Sequence, residues 1–162
     1  MADHRQHHHQ GAPAFGRGAQ KRGGDEALGR SVGGVSTKLH IATDALSNPV
    51  GFILTAGQVA DVTQAEALIE AHPAGVMILD KAYDSNDVIA AAQRHGGIAI
   101  IPPKKNRKVQ REYDKHLYKE RVKVEWFISL LKQYRRVATR YEKLGQNFLS
   151  IVYLASAMIL MR

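Results

Sequence analysis

Four polar residues occur at helical spacing between positions 118 and 132, and their types could bind a cation and anions together: Tyr118, Arg121, Glu125 and Lys132. At about 100° per residue these positions fall within a wedge of roughly 60° and extend over about 21 Å of helix. Apolar residues fill the neighbouring sector: Leu117, Val124, Phe127, Ile128, Leu131 and Tyr134. A polar stripe beside a buried face predicts a helix that borders a cleft. The alternative is a surface helix with ordinary ion pairs four residues apart, which stabilise a helix only slightly.

A second acid, Asp80, directly follows the short apolar run 76–79. Such a run is typical of a strand that is buried on both faces. Ligand sites in open α/β sheets lie at the carboxyl ends of strands, so we expect the Asp80 carboxylate to point into a crevice. The alternative is a role in the turn or in capping the next helix, but Asp84 and Ser85 are better placed to cap.

A carboxylate after a central strand and another on a helix edge are the minimum needed to hold Mg²⁺. This ion prefers oxygen ligands and commonly takes one or two carboxylates, while water and phosphate oxygens complete its shell. Two such ions can clamp the attacking and leaving oxygens of an in-line displacement at phosphorus. Asp80 and Glu125 are therefore the candidate catalytic and metal-binding residues, for Mg²⁺ or alternatively Mn²⁺.

The chain is strongly basic, with a formal net charge of +8 over 162 residues and a pI near 9.8. A charge of this size predicts binding to polyanions, with affinity that falls as salt rises. Two basic runs flank Glu125, at 104–115 and 132–143, although solvated surface charge is the alternative. We expect Arg121 and Lys132 to bind DNA phosphates, whereas Tyr118 could bind a phosphate or pack. The candidate DNA-binding residues are Tyr118, Arg121, Lys132, Lys104, Lys105, Arg107, Arg135 and Arg136.

Composition narrows the class of protein. The chain is 44% hydrophobic and 23% charged, which suits one compact domain. It has no cysteine, which excludes disulfides and thiolate metal sites and fits a cytoplasmic location. We find no secretion leader, and we expect the segment 1–30 to be irregular or mobile. Clustered histidines occur in this segment and are expected to be solvated rather than metal-bound: His4, His7, His8 and His9.

Apolar periodicity and turn residues predict strands that alternate with helices. The first predicted unit is a hairpin of strands 36–43 and 50–55 around the turn 44–49. A helix over 61–71 follows, with a capping box formed by Thr63 and Glu66. The remaining predicted elements are strand 76–79, helix 86–95, strand 98–101, basic loop 104–115, helix 116–134 and helix 148–161. This order predicts an α/β domain with a mixed sheet. The last apolar segment is shorter than the roughly 20 residues that a membrane span needs, so we expect a core helix.

The spacing Tyr-(2)-Arg-(3)-Glu-(6)-Lys resembles the signature around the last catalytic acid of DDE transposases from bacterial insertion sequences. Four further segments resemble transposases of the insertion sequence 5 type: 29–49, 79–85, 101–107 and 137–143. The first of these resembles their second-strand block, and Leu79-Asp-Lys-Ala-Tyr-Asp-Ser85 resembles their second-aspartate motif. The resemblance implies an RNase H-like catalytic domain over 31–162, with Asp80 as the second acid and Glu125 as the third.

One part of the family pattern is missing. The family's first aspartate lies on the first, central strand, in an Asp-Ser/Gly-Thr segment followed by Arg-x-His-x-His. Here Arg5-Gln-His7-His-His9 resembles only the end of that block, so we expect the aspartate before residue 1. Asp3 is too close to Arg5, and Asp44 lies in the predicted hairpin turn. A sheet without its central strand is expected to have a gap, or an unpaired edge prone to association.

We therefore expect the carboxyl-terminal part of a transposase catalytic domain, either a second-frame polypeptide or a decayed copy. Its function is expected to be DNA transposition by metal-dependent strand cleavage and transfer, although residues 1–162 alone should hold metal weakly and not cleave. The alternative is an inactive DNA-binding fragment that occupies transposon ends or associates with full-length enzyme. A third alternative is a metal-dependent nuclease or repair enzyme of RNase H-like fold. Such an enzyme would share the two carboxylates, but it would not explain the spacing of Arg121 and Lys132. The expected partners are DNA (transposon ends and target) and either the upstream polypeptide or a second copy, with no membrane.

Overall fold

The computed structural model describes residues 27–31 and 34–162, with side chains for 27–29 and 36–162. The four N-terminal histidines, Asp3 and Arg5 lie outside the described residues, as does most of the segment 1–30. The strands are β1 (Gly29–Ser31), β2 (Gly34–Thr43), β3 (Pro49–Ala56), β4 (Val76–Ile78) and β5 (Ile98–Ile100). The helices are α1 (Val62–Ala71), α2 (Asn86–Arg94), α3 (Lys115–Tyr118), α4 (Val122–Leu131), α5 (Arg135–Ala138) and α6 (Gly145–Leu160). Short 3₁₀ turns occupy Lys81–Tyr83 and Lys119–Arg121.

The described strands form two separate sheets. β2 and β3 pair as the predicted antiparallel hairpin, and β1 adds to β2, which gives the order β1-β2-β3. β4 and β5 form a parallel pair of their own. Among the described strands none pairs with a member of each sheet, so the expectation of one mixed sheet is wrong for this part of the chain.

The predicted hairpin turn is confirmed, and Asp44 has a structural role in it. Its Oδ1 atom accepts hydrogen bonds from the backbone amides of Leu46 and Asn48 at 2.8 and 2.9 Å. The Asn48 side chain donates to Oδ2 at 2.9 Å. These hydrogen bonds lower the pKa of Asp44, the side-chain bond from Asn48 most of all. Asp44 is therefore a turn residue, as the sequence predicted.

Two apolar clusters hold the helices on the two sheets. One joins α1 and α2 to the parallel pair: Ala65, Ile69, Met77, Val88, Ala91, Ala92 and Ile101. The other joins α4 and α6 to the hairpin: Phe52, Phe127, Leu131, Phe148, Val152 and Ala155. The apolar side of α4 that the sequence predicted therefore packs on β2 and β3.

β2 presents different side chains to its two sides, because side chains alternate along a strand. Leu39 and Ile41 pack against the cluster with α4 and α6. Lys38 and His40 point the other way, and Lys38 Nζ pairs with Asp61 at 2.8 Å. β2 thus separates the core under α4 from the side that faces α1 and the turn after β4.

The expectation that β4 and β5 are buried on both faces is wrong. Met77 packs against α1 and α2, but Val76 and Ile98 are 49% and 67% exposed. Among the described residues, a helix pair covers one face of this two-stranded sheet. The other face lines an open cavity of about 450 Å³ beside residues 111–117.

The predicted capping box at the start of α1 is also wrong. Thr63 Oγ1 donates to the carbonyl of Ala60 at 2.7 Å, and Glu66 pairs with Arg94 of α2. A partner on a neighbouring helix, which sequence spacing does not reveal, takes the carboxylate instead. The cap of α2 is confirmed in part, because Ser85 Oγ accepts from the Val88 amide at 3.1 Å.

Two long helical predictions need adjustment at their ends. The segment predicted as helix 116–134 begins at Lys115 and ends at Leu131, with the 3₁₀ turn Lys119–Arg121 between α3 and α4. The predicted terminal helix is confirmed as α6, which buries Phe148 and Val152 along one side. Within the described residues, no helix has both the length and the apolar character to cross a membrane.

The packing of α4 on the hairpin yields a stability prediction. Phe127 is 1% exposed, and its ring centroid lies 6.4 Å from that of Phe52. Phe127→Ala should lower the free energy of unfolding by about 3–5 kcal/mol, since it removes a buried ring and leaves a cavity. Far-UV circular dichroism during urea unfolding measures this change. Trp126→Ala, at a neighbouring position that is 57% exposed, should cost about 1 kcal/mol or less. Equal losses in the two variants would contradict this packing.

Candidate active site

The guanidinium of Arg121 brings Asp80 and Glu125 together from distant parts of the chain. Its Nη1 atom donates to Asp80 Oδ2 at 3.4 Å, and its Nη2 atom forms an ion pair with Glu125 Oε1 at 2.9 Å. The two carboxylate side chains are 51% and 54% exposed, so they remain open to solvent. The structure thus brings together the two acids that the sequence selected, within the span of one guanidinium.

Asp80 lies where a strand changes into a turn. The Leu79 amide still donates to the carbonyl of Ile100 at 3.1 Å, and the chain then enters the 3₁₀ turn Lys81–Tyr83. The Asp80 backbone is extended, and its carbonyl accepts from the Tyr83 amide at 2.9 Å. Its side chain makes no capping hydrogen bond to this turn. The carboxylate is therefore available to groups outside its own segment.

Glu125 is positioned by the packing of α4. It lies in the first turn of this helix, directly after the 3₁₀ turn Lys119–Arg121. Two residues later Phe127 enters the core with Phe52, which fixes the rotation of α4 on the hairpin. Glu125 therefore lies at the edge of the buried face, as the spacing predicted.

Tyr83 ties the turn after Asp80 to the antiparallel sheet. Its hydroxyl lies 3.0 Å from Nδ1 of His40 on β2, and Nε2 of His40 lies 2.9 Å from Thr55 Oγ1 on β3. Burial raises the pKa of Tyr83 to about 12, and the negative charges of Asp61 and Asp80 add to this rise. Burial likewise lowers the pKa of His40. At neutral pH this connection between the two sheets is thus a chain of uncharged hydrogen-bonding groups.

Asp84 ties the same turn to the basic loop that follows β5. Its side chain is 1% exposed and accepts from the Lys104 amide at 2.8 Å, from Arg107 Nε at 3.0 Å and from Arg111. Burial alone would raise the pKa of Asp84, but the hydrogen bonds from Lys104 and Arg107 and the two arginine charges outweigh it and leave the pKa lowered. The sequence suggested that Asp84 would cap α2. Its side chain does not do so, because the basic loop supplies stronger donors.

These contacts occupy several of the predicted DNA-binding residues. Arg107 donates both to Asp84 and to Asn86 Oδ1, the latter at 2.8 Å. Arg136 pairs with Glu142. Arg121 is shared between the two acids.

The other predicted DNA-binding residues face solvent to different degrees. Lys105, Lys132 and Arg135 are exposed, and Lys104 is half-buried. Lys132 lies immediately after the end of α4. The described part of the chain therefore offers lysines, more than arginines, for contacts with an anionic ligand.

Tyr118 packs on the guanidinium of Arg121, so three of the four stripe residues are in contact. The Arg121 Cζ atom lies 5.5 Å from the centroid of the Tyr118 ring, at a distance typical of cation–π contact. The edge of the Tyr113 ring meets Tyr118, with the centroids 5.6 Å apart. The sequence left binding and packing open for Tyr118, and the described contacts are packing contacts.

The residues present fit a divalent cation that takes two protein carboxylates. Mg²⁺ is usually bound through one or two carboxylates with water and substrate phosphates, and Asp80 and Glu125 supply oxygen donors of that kind. No group of three or more His, Cys, Asp or Glu side chains in the described ranges is arranged to hold a metal ion. The described residues therefore supply two carboxylates to such a cation.

Comparison with known proteins assigns a family to this arrangement. The family model for the transposase DDE domain matches residues 3–160. The chain belongs to the transposase DDE domain family. It is also 38% identical over 130 residues to a candidate transposase for the insertion sequence element IS6501 of Brucella ovis, a match that covers 79% of this chain and 100% of that relative. No solved structure matches the chain. Transposases of this family generally use divalent metals, in agreement with the paired carboxylates.

Sequence reasoning missed the two connections that hold the Asp80 turn of this transposase domain. The alternation of β2 places His40 opposite Leu39 and Ile41, and this pattern could have indicated an inward-facing histidine. Asp84 carried no comparable signal, because its partners Arg107 and Arg111 follow β5 and become neighbours only in the fold.

Asp84 generates a prediction with a defined pH dependence. Asp84→Asn keeps the side-chain shape but leaves Arg107 and Arg111 without their counter-charge, so at pH 7 the free energy of unfolding should fall by about 3 kcal/mol. The folded pKa of Asp84 lies below the unfolded value of about 3.9. Its stabilising effect is therefore complete above about pH 5 and is lost as the pH falls through the folded pKa.

Urea unfolding of wild type and Asp84→Asn between pH 7 and pH 3 measures this effect, and the difference should shrink in acid. Asp87→Asn is the matched control, because Asp87 is exposed in the first turn of α2. Its loss should not exceed about 1 kcal/mol. A difference for Asp84→Asn that is absent at pH 7, or constant over this range, would rule out the buried ion pair.

Proposed function

We propose that this chain acts in DNA transposition by metal-dependent DNA strand cleavage and transfer, with Asp80 and Glu125 as two of the catalytic acids. The single observation that carries the proposal is the meeting of these two carboxylates on Arg121. Membership of the transposase DDE domain family supports it. The transposase name of the Brucella ovis relative agrees with a role on DNA.

In this proposal Asp80 and Glu125 are the protein ligands of Mg²⁺ or Mn²⁺. The cations, when bound, would polarise the scissile phosphate and lower the pKa of the attacking water, and a two-metal site is expected. The chain's own part is to hold the ligands in register. The turn fixed by Tyr83 and Asp84 positions the first carboxylate, and α4 packed through Phe127 positions the second.

The remaining stripe residues and the basic loop are proposed to bind DNA. Arg121 would bind a phosphate with two parallel hydrogen bonds while packed on Tyr118, and Lys132 would act as a point charge. Lys104 and Lys105 carry charge on the loop that Asp84 fixes. Arg107 is proposed to act mainly by holding this loop, since its guanidinium is directed at Asp84.

Arg135 and Arg136 follow α4 and extend the same basic surface in the proposal. Their positions after Lys132 continue the line of cationic groups beyond the end of the helix. Arg136 also pairs with Glu142, so Arg135 is the freer of the two for a phosphate.

The finer family assignment is part of the proposal. We assign residues 31–162 to an RNase H-like domain of the insertion sequence 5 type, on the Tyr118-to-Lys132 spacing. In such a domain a central strand with Asp-Ser/Gly-Thr carries the first acid, and no segment of 1–162 has that sequence. The gap between the two described sheets is consistent with a strand contributed by an upstream polypeptide.

A second candidate function is DNA binding without catalysis, at transposon ends or together with a full-length enzyme. It is favoured by the pairing of both acids with an arginine, which neutralises them without any cation. The basic surface alone would serve this function. Whether function requires the Glu125 carboxylate therefore separates the two candidate functions.

Excision of a marked element from a plasmid tests the choice between them. The chain should support excision once the segment with the Asp-Ser/Gly-Thr strand is supplied, either fused upstream or co-expressed. Glu125→Gln should abolish excision, because the ligand charge is lost. Glu120→Gln is the matched control, since Glu120 lies five residues earlier and pairs with Lys123. Excision that is unaffected by Glu125→Gln would reject the catalytic proposal in favour of DNA binding.

A further inference from the structure

We propose that Arg121 is an internal counter-ion that competes with the divalent cation for Asp80 and Glu125 and moves to a DNA phosphate when the cation binds. This inference rests on the proposed function, because it assumes that the two acids are metal ligands. It adds that Arg121 weakens metal binding, whereas the same side chain strengthens DNA binding.

The geometry places the guanidinium on the atoms that a cation needs. Asp80 Oδ2 and Glu125 Oε1 are each paired with a different terminal nitrogen of the same Arg121 side chain. A cation would require carboxylate oxygens at about 2.0–2.1 Å from its own centre. A guanidinium in contact with both oxygens and a cation bound to both would repel each other at close range. Binding of one therefore weakens binding of the other.

The strength of the contacts makes the exchange feasible. The contact to Asp80 is long at 3.4 Å, and both acids are about half exposed. Exposed ion pairs contribute little to stability, so Arg121 can be displaced by a cation of higher charge. A pair whose carboxylate is buried, such as the one at Asp84, could not serve in this way because separating its charges costs far more.

Tyr118 gives the displaced guanidinium a place beside the acids. Its ring lies under the Arg121 Cζ atom at 5.5 Å, and the contact does not depend on either carboxylate. The ring is held in turn by Tyr113. Arg121 can then turn its hydrogen-bond donors towards a phosphate while it stays against Tyr118. Charge neutralisation of the acids thus passes from the arginine to the cation as DNA arrives.

The test compares Mn²⁺ binding and DNA binding in the same variants. Mn²⁺ affinity is measured by electron paramagnetic resonance and calorimetry, and duplex DNA affinity is measured by fluorescence anisotropy at fixed salt. Arg121→Gln should bind Mn²⁺ about threefold to tenfold more tightly than wild type, because two exposed ion pairs no longer compete. The same variant should bind DNA more weakly. These changes of opposite sign are the signature of a shared counter-ion.

Two further variants serve as controls. Arg135→Gln removes an exposed arginine outside the acid pair, so it should weaken DNA binding and leave Mn²⁺ affinity unchanged. Arg121→Lys keeps the charge but loses the forked geometry, and its Mn²⁺ affinity should lie between those of wild type and Arg121→Gln. Thermal unfolding of each variant confirms that the fold is retained.

The outcomes separate this inference from the proposed function. If Asp80→Asn and Glu125→Gln lose Mn²⁺ binding while Arg121→Gln binds Mn²⁺ no more tightly than wild type, the competition is refuted and the metal site stands. If Mn²⁺ binds equally to wild type, Asp80→Asn and Glu125→Gln, both the inference and the proposed metal site are refuted.

Discussion

Asp84 accepts hydrogen bonds from the basic loop with a side chain that is almost fully buried, and this contact fixes the turn that begins at Asp80. A buried carboxylate is tolerated only when its charge is paired and its oxygens are hydrogen-bonded. Lys104, Arg107 and Arg111 meet that requirement together, so the loop cannot leave the turn without a large cost. On the other side of the turn, Tyr83 is held by His40.

This constraint explains how a small domain can bring two distant carboxylates together. The turn belongs to the layer formed by α1, α2 and the parallel pair, whereas α4 belongs to the layer formed by the hairpin and α6. In the described residues the two sheets share no hydrogen bonds between strands. The link between Tyr83 and His40 therefore contributes to the register between Asp80 and Glu125. We infer that the relative positions of Asp80 and Glu125 depend on side-chain contacts more than on a continuous sheet.

The features that the sequence predicted are those set by local pattern. Alternation and turn residues predicted the hairpin, and helical spacing predicted that Glu125 would lie beside a buried face. The apolar run before Asp80 placed that acid at the end of β4. The resemblance to transposases agrees with the family assignment. The catalytic roles that it implies for Asp80 and Glu125 remain predictions.

The features that the sequence did not predict depend on partners far along the chain. Glu66 pairs with Arg94 rather than closing a capping box, and Asp84 binds the loop rather than capping α2. The exposure of Ile98 depends on what covers the second face of the parallel pair, which its own segment does not encode. In each case a tertiary neighbour outweighs a local preference.

The central claim is that Asp80 and Glu125 together form one cation-binding site. Arg121 neutralises the two carboxylates when no cation is bound. Crystals of the chain soaked with Mn²⁺ and measured at the manganese absorption edge test it most directly. The account predicts an anomalous peak within coordination distance of both carboxylates, with the Arg121 guanidinium withdrawn from them. A map without a peak between these carboxylates under saturating Mn²⁺ would contradict the claim, as would a peak beside a guanidinium that still bridges them.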